Sequence, residues 1–234
     1  MANAKKPPVK RTIVRVADAA GSGSADPAER SAARGAVKAK AGPKRLGAVI
    51  LWILALAAEA AVIMLLGGYL YLPMDPTIWL IGGIVLDLVL VVIGSLLWKK
   101  ANDLDPPSGK NKLRFFLWNN MGVIVAVLAF FPLIIILLRD KKLDPKLKRI
   151  ASIAAVVALA IAGLFSYDWN PVSAEQQASL QDSLSGQLVY WTPFGTRFHV
   201  DPNCPTLSRS ATVYEGTIDQ AFEANRGTPC QVCS

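Results

Sequence analysis

The chain has 234 residues, 53% of them apolar and only 18% charged, and its 25 Lys and Arg against 17 Asp and Glu leave a formal charge of +8. A soluble domain carries about a quarter charged residues, so this apolar surplus excludes a single soluble core, and the same composition excludes collagen, a coiled coil and a wholly disordered chain. Three cysteines, all within the last 31 residues, are too few for a disulfide scaffold.

Residues 1–45 are rich in Ala, Gly, Pro, Lys and Arg, with Asp18, Asp26 and Glu29 the only acids. Little here can enter a core, so a disordered, solvated tail attracted to anionic lipid is expected. Its charge also admits a nucleic-acid partner, but no aromatic residue is available to stack on bases.

Four apolar blocks follow: Leu46–Leu72, Ile78–Trp98, Phe115–Leu138 and Ile150–Phe165. A hydrocarbon core about 30 Å thick takes about 20 helical residues. The first three blocks are long enough, and the fourth reaches the interface through Ser166 and Tyr167. Block one is too long for a signal-peptide core, and no small-residue cleavage site follows it. The Pro73–Thr77 connection is short enough to force an antiparallel hairpin. Trp52, Tyr69, Tyr71, Trp79, Trp98 and Trp118 fall near block ends, where aromatic rings favour the headgroup layer.

Lys and Arg number 11 in the tail, none in 73–77, five in 99–114 and six in 139–149. The positive-inside rule puts the tail and the 99–114 connection in the cytoplasm. The 139–149 connection conflicts with it, unless block three turns back near Phe131-Pro132 as a re-entrant segment. Such a turn needs shielding from lipid, so four simple spans with both ends cytoplasmic is the favoured reading. The resulting division is a tail at 1–45, a four-helix transmembrane domain at 46–166, a polar linker at 167–187 and a small module at 188–234.

Glu59 and Asp87 lie at mid-depth of blocks one and two, about 6 Å apart along the membrane normal at 1.5 Å per residue. No Lys, Arg or His occurs in any block to neutralise them. They can stay protonated, share a proton or bind a cation. The competing role is an inter-helix hydrogen bond, to Asn119 or Asn120, that specifies packing.

In the module, Leu188–Thr192 and Thr196–Val200 alternate as a hairpin about the Pro193-Phe194-Gly195 turn. Thr217 and Gln220 have capping-box spacing before a helix over Ile218–Arg226, which presents Ile218, Ala221, Phe222 and Asn225 on one face. Gly227 fits the position just past that helix, and Pro229 prevents its continuation. His199, the only histidine, stands five positions before Cys204, and Cys230-Gln231-Val232-Cys233 ends the chain. A Cys-x-x-Cys knuckle lets two thiolates grip one ion, and His199 with Cys204 completes a Cys3His set suited to structural Zn2+. So small a unit needs such a staple. A Cys230–Cys233 redox disulfide, a disulfide with one thiol left over, and unpaired thiols are the alternatives.

The run Val189-Tyr190-Trp191-Thr192, Gly195–His199, Cys204-Pro205-Thr206-Leu207, Gly216-Thr217, Ala221 and Pro229–Cys233 resembles a small zinc-ribbon-like module appended to secreted nucleases and bacterial surface proteins. It is similar in layout to the metal-binding domain of the Ada DNA-alkylation response protein. The resemblance implies the fold and the ligand set. His199 takes the place of the cysteine that accepts a methyl group there, and an imidazole has no activated thiolate, so methyl transfer is not implied. The membrane part looks like an uncharacterised family of small bacterial membrane proteins.

Four filled ligand positions leave no site for a catalytic water, which argues against an enzyme. The expectation is an α-helical integral membrane protein, a four-helix bundle, with a small α+β zinc-ribbon-like module, in a bacterial cell membrane. The leading function is a non-enzymatic binding or scaffolding protein, anchored in the bilayer, whose module docks an unknown macromolecule. The alternatives are a metal- or redox-responsive sensor using the Cys3His cluster, and a proton- or cation-coupled carrier using Glu59 and Asp87. Tyr190, Trp191, Phe194, Arg197 and Phe198 are read mainly as strand and core residues, with a nucleic-acid or peptide surface as the competing role.

Overall fold

The structure, a computed structural model, describes residues 11–16, 32, 35–36, 38–71, 73, 75–141 and 143–233. The chain forms two compact units. One holds Gly42–Asn102 and Lys110–Pro171; the other holds the N-terminal residues through Ala41, Asp103–Gly109 and Val172–Ser234.

The first unit is helical: α1 (Ala41–Leu66), α2 (Pro76–Leu104), α3 (Lys112–Asn119), α4 (Met121–Arg139) and α5 (Pro145–Ser166). Among the described residues, α1, α2, α4 and α5 are long and apolar enough to cross a membrane. Their outward faces, with Ile53, Val85, Leu128 and Ile153 exposed, are as apolar as the inward ones, the pattern of a helix surrounded by apolar material on every side. The small residues Ala151, Ala155, Ala158 and Ala162 form the buried stripe of α5, packed on α4 with its Gly122, Ala126 and Ala129. Side chains of this size let two backbones approach closely.

The helix boundaries differ from the block boundaries for local reasons. Block one leaves the helix at Leu66, because Gly68 adopts φ +76° and a pair of bonds, Tyr69 N–H to Met64 O and Gly68 N–H to Leu65 O, closes the last turn. Block three is divided at Asn120, which leaves helical geometry (φ −102°, ψ 23°) between α3 and α4. Helix α4 runs unbroken through Pro132, so the turn a re-entrant segment would need does not form there. Trp52, Trp98 and Trp118 pack against one another, at 5.3 and 5.2 Å between ring centroids, with Arg45 over Trp118. Trp52 and Trp98 are buried inside the unit, against neighbouring helices. The Trp52 ring fills the space beside Gly94, where an added Cβ would lie 2.6 Å from Trp52 Nε1.

In the second unit, β2 (Val189–Trp191) pairs antiparallel with β4 (Thr212–Gly216), and β1 (Thr12–Arg15) pairs parallel with the other edge of β4. Thus part of the tail expected to be disordered is a strand. Thr12, Ile13 and Val14 have high strand propensity, β4 supplies an open edge, and Arg15 forms an ion pair with Glu215 at 2.6 Å. β3 (Arg197–Phe198) pairs parallel with β5 (Thr228–Pro229). The expected hairpin is present as a two-bond bridge between Tyr190 and His199.

The stretch read as a linker contains α6 (Ala174–Ser183), begun by a Ser173/Gln176 capping box, whose Leu180 packs against the core cluster formed by β2, β3 and the helix α7 (Ile218–Glu223). Its Gln177, Leu180 and Leu184 recur at helical spacing, a period obscured by the surrounding polar residues. The Thr217/Gln220 capping box of α7 is present. That helix stops earlier than expected. Asn225, not Gly227, takes the left-handed position (φ 58°), with Arg226 N–H bonded to Ala221 O and Asn225 N–H to Phe222 O.

Candidate metal centre

Each of the four predicted ligands is placed by backbone hydrogen bonds. His199 follows β3 and exchanges two bonds with Tyr190, at 2.7 and 2.8 Å. Cys204 closes a turn on Asp201 O, helped by Asn203 N–H on Asp201 Oδ1 at 2.8 Å, and precedes the 3-10 helix Pro205–Arg209. Pro205 suits that first helical position because its fixed φ is already helical. Cys230 follows β5, and its N–H donates to Phe198 O at 2.9 Å. The Gln231-Val232 turn then returns Cys233 to the same spot.

The four ligand atoms all lie within 4.8 Å of one another. Cys204 Sγ and Cys230 Sγ are 4.0 Å apart, and Cys233 Sγ is 3.5 Å from His199 Nδ1. A tetrahedral ion with Zn–S near 2.3 Å and Zn–N near 2.0–2.1 Å requires about 3.8 Å between sulfurs and about 3.6 Å from sulfur to nitrogen. Both separations are near these values, and the His199 atom turned toward the thiols is Nδ1. None of the three cysteines is in a disulfide in the structure.

The protonation chemistry is mixed. Burial holds the His199 imidazole below its ordinary value, which keeps it neutral and able to ligate. Burial opposes the Cys230 thiolate, yet bonds from the Thr206 hydroxyl, the Val232 N–H and its fellow thiols bring that group down to about 7. Burial pushes the Cys233 thiol up. An ion would have to displace that proton with its own charge.

One neighbour was not singled out from the sequence. Thr206 Oγ1 lies 3.1 Å from Cys204 Sγ, 3.3 Å from His199 Nδ1 and 3.5 Å from Cys230 Sγ. Its only sequence signal is a hydroxyl two positions after a ligand cysteine. Of the aromatic residues weighed for a binding surface, Trp191 and Phe198 are core, Tyr190 is half-buried, and Phe194 is 98% exposed at the tip of the β2–β3 turn.

Glu59 and Asp87 belong to the helical unit and take no part in this centre. Asn119 and Asn120 are engaged elsewhere: with Asn102 and Phe115 O for the first, with Phe116 O and Asp168 N–H for the second. Comparisons with protein-family models, with curated proteins and with solved structures find no match to this chain.

Proposed function

We propose that this protein is a membrane-anchored, non-enzymatic binding protein whose C-terminal module is folded around Zn2+ and docks another protein at the cytoplasmic face. The observation that carries the metal reading is the approach of the His199, Cys204, Cys230 and Cys233 ligand atoms within 4.8 Å of one another, with two of the separations, 4.0 and 3.5 Å, near those of a tetrahedral ion. Three thiolates and an imidazole are a soft donor set, which selects Zn2+ over hard divalent cations. Four protein ligands close the coordination sphere, so the ion holds the fold and performs no hydrolysis.

Two observations support the remaining parts. Phe194 sits on a turn held by Arg226, whose guanidinium donates to Thr192 O at 3.1 Å and Pro193 O at 2.6 Å. A large aromatic side chain presented on a fixed turn is the usual form of an interface anchor. Residues 103–109, which connect α2 to α3, are bound to the start of α6: Ser108 Oγ–H and Gly109 N–H donate to Glu175, and Ala174 N–H donates to Pro107 O. With four spans, this connection and the module share a membrane face, and the positive-inside rule makes it the cytoplasmic one. The cationic α4–α5 connection then lies outside, against that rule. The unbroken helix through Pro132 supports this arrangement over a re-entrant one.

The test is metal analysis of the purified, reduced full chain, paired with a photo-crosslinking residue at position 194 in cells. One Zn2+ per chain and one discrete crosslinked protein are expected. Absence of metal sinks the centre, and absence of a defined adduct sinks docking. Metal lost reversibly under mild oxidant with folding retained would replace this reading by a sensor.

A further inference from the structure

The two acids inside the helical unit face each other. Helices α1 and α2 run antiparallel and touch closely at two points, where a Cβ on Gly83 would lie 2.4 Å from Val62 Cγ2 and one on Gly94 would lie 2.6 Å from Trp52 Nε1. Glu59 is three residues before Val62 and Asp87 four after Gly83, steps that keep each on the contact face and at the same level. Glu59 is 5% exposed and Asp87 3%. Glu59 Oε1 and both oxygens of Asp87 are buried without a hydrogen-bond partner among the described residues. Each is a strong acceptor removed from water.

We propose that Glu59 and Asp87 form a proton-binding site inside the membrane, holding one proton between them at neutral pH. Two facing carboxylates cannot both ionise in a medium of low dielectric without a counter-charge. None is at hand, because these carboxyls are the only titratable side chains in 46–66, 78–98, 121–138 and 150–165. Helices α4 and α5 thus bring no acid, base or cation to the pair from their apolar stretches.

Helix α4 supplies one polar group. It is the Leu133 N–H, next to Pro132 in that helix, which reaches the Glu59 carboxyl. The same N–H disfavours a metal cation, as does the supply of only three buried, unpartnered oxygens where a hard cation takes about six. The inference rests on the helical unit alone and is independent of the metal centre.

The test uses the full chain in phosphatidylcholine vesicles treated with dicyclohexylcarbodiimide, which adds to protonated carboxyls from the lipid phase. At about pH 7 an ordinary carboxyl is protonated in fewer than about one molecule in a hundred. An N-acylurea on Asp87 or Glu59, located by peptide mass spectrometry, is expected at that pH. Its rate should fall about tenfold per pH unit above the midpoint of the pair. Glu59→Gln with Asp87→Asn should abolish the adduct and also remove a protonated-carboxyl C=O band from the infrared spectrum of the wild-type protein. Absence of both adduct and band at neutral pH overturns the proposal. Protection by NaCl but not by choline chloride also overturns it, in favour of a Na+ site.

Discussion

Thr206 separates metal affinity from folding at the level of single residues. Its hydroxyl reaches three of the four ligand atoms but is not itself one of the expected ligands. Thr206→Val should leave one ion per chain and lower the affinity about 10- to 100-fold, the usual cost of losing such a supporting hydrogen bond; competition with a chromogenic chelator measures it. Cys230→Ala, by contrast, removes a ligand buried in the core of the module. Because structural zinc contributes on the order of 10 kcal/mol in small modules, that variant should lose both metal and amide-exchange protection across β2 and β4. The grouping of His199, Cys204, Cys230 and Cys233 was legible in the sequence, since thiols and an imidazole gathered in one short window have few other uses. Thr206 was not, because a threonine after Cys-Pro is also a common way to begin a turn.

At the level of elements, helix ends and helix contacts decide. Asn225 occupies a left-handed conformation at the end of α7. Asn225→Gly should be neutral or stabilising, whereas Asn225→Val should cost about 1–2 kcal/mol, read from thermal unfolding of the metal-loaded protein. The connection 103–109 gives a pH prediction. Bonds from Ser108 and Gly109 hold Glu175 down at about 2, below its ordinary 4.5. A carboxylate depressed in the folded state contributes stability that is present above its unfolded value and lost as pH falls through the folded one. The Gly109 amide should therefore stay protected above about pH 4.5 and become exchangeable as pH falls toward about 2; in Glu175→Gln, whose amide oxygen accepts but does not titrate, that pH dependence should vanish. Within the helical unit, Gly94→Ala pushes a methyl into Trp52, itself stacked on Trp98. Overpacking typically costs about 1–3 kcal/mol, so this variant should unfold at lower denaturant in detergent despite the better helix propensity of alanine.

For the whole molecule, the two units predict two separate responses. Chelation should unfold the module and leave the far-ultraviolet helical signal of α1, α2, α4 and α5 in place. Reporters fused at the two ends of the chain should give the same side of the membrane, and opposite sides would exclude four spans. Four apolar blocks, the two acids within them and the Cys3His set were all determined by the sequence, because each rests on local chemistry: the length of an apolar run, the sign of a charge, the softness of a ligand. The break at Asn120, the capture of Thr12–Arg15 by β4, the packing of α6 into the module and the facing of Glu59 and Asp87 were decided only by tertiary structure. Each of these depends on a partner far away along the chain, such as an open strand edge, an apolar patch or a glycine on a neighbouring helix, and no local pattern specifies which partner that is.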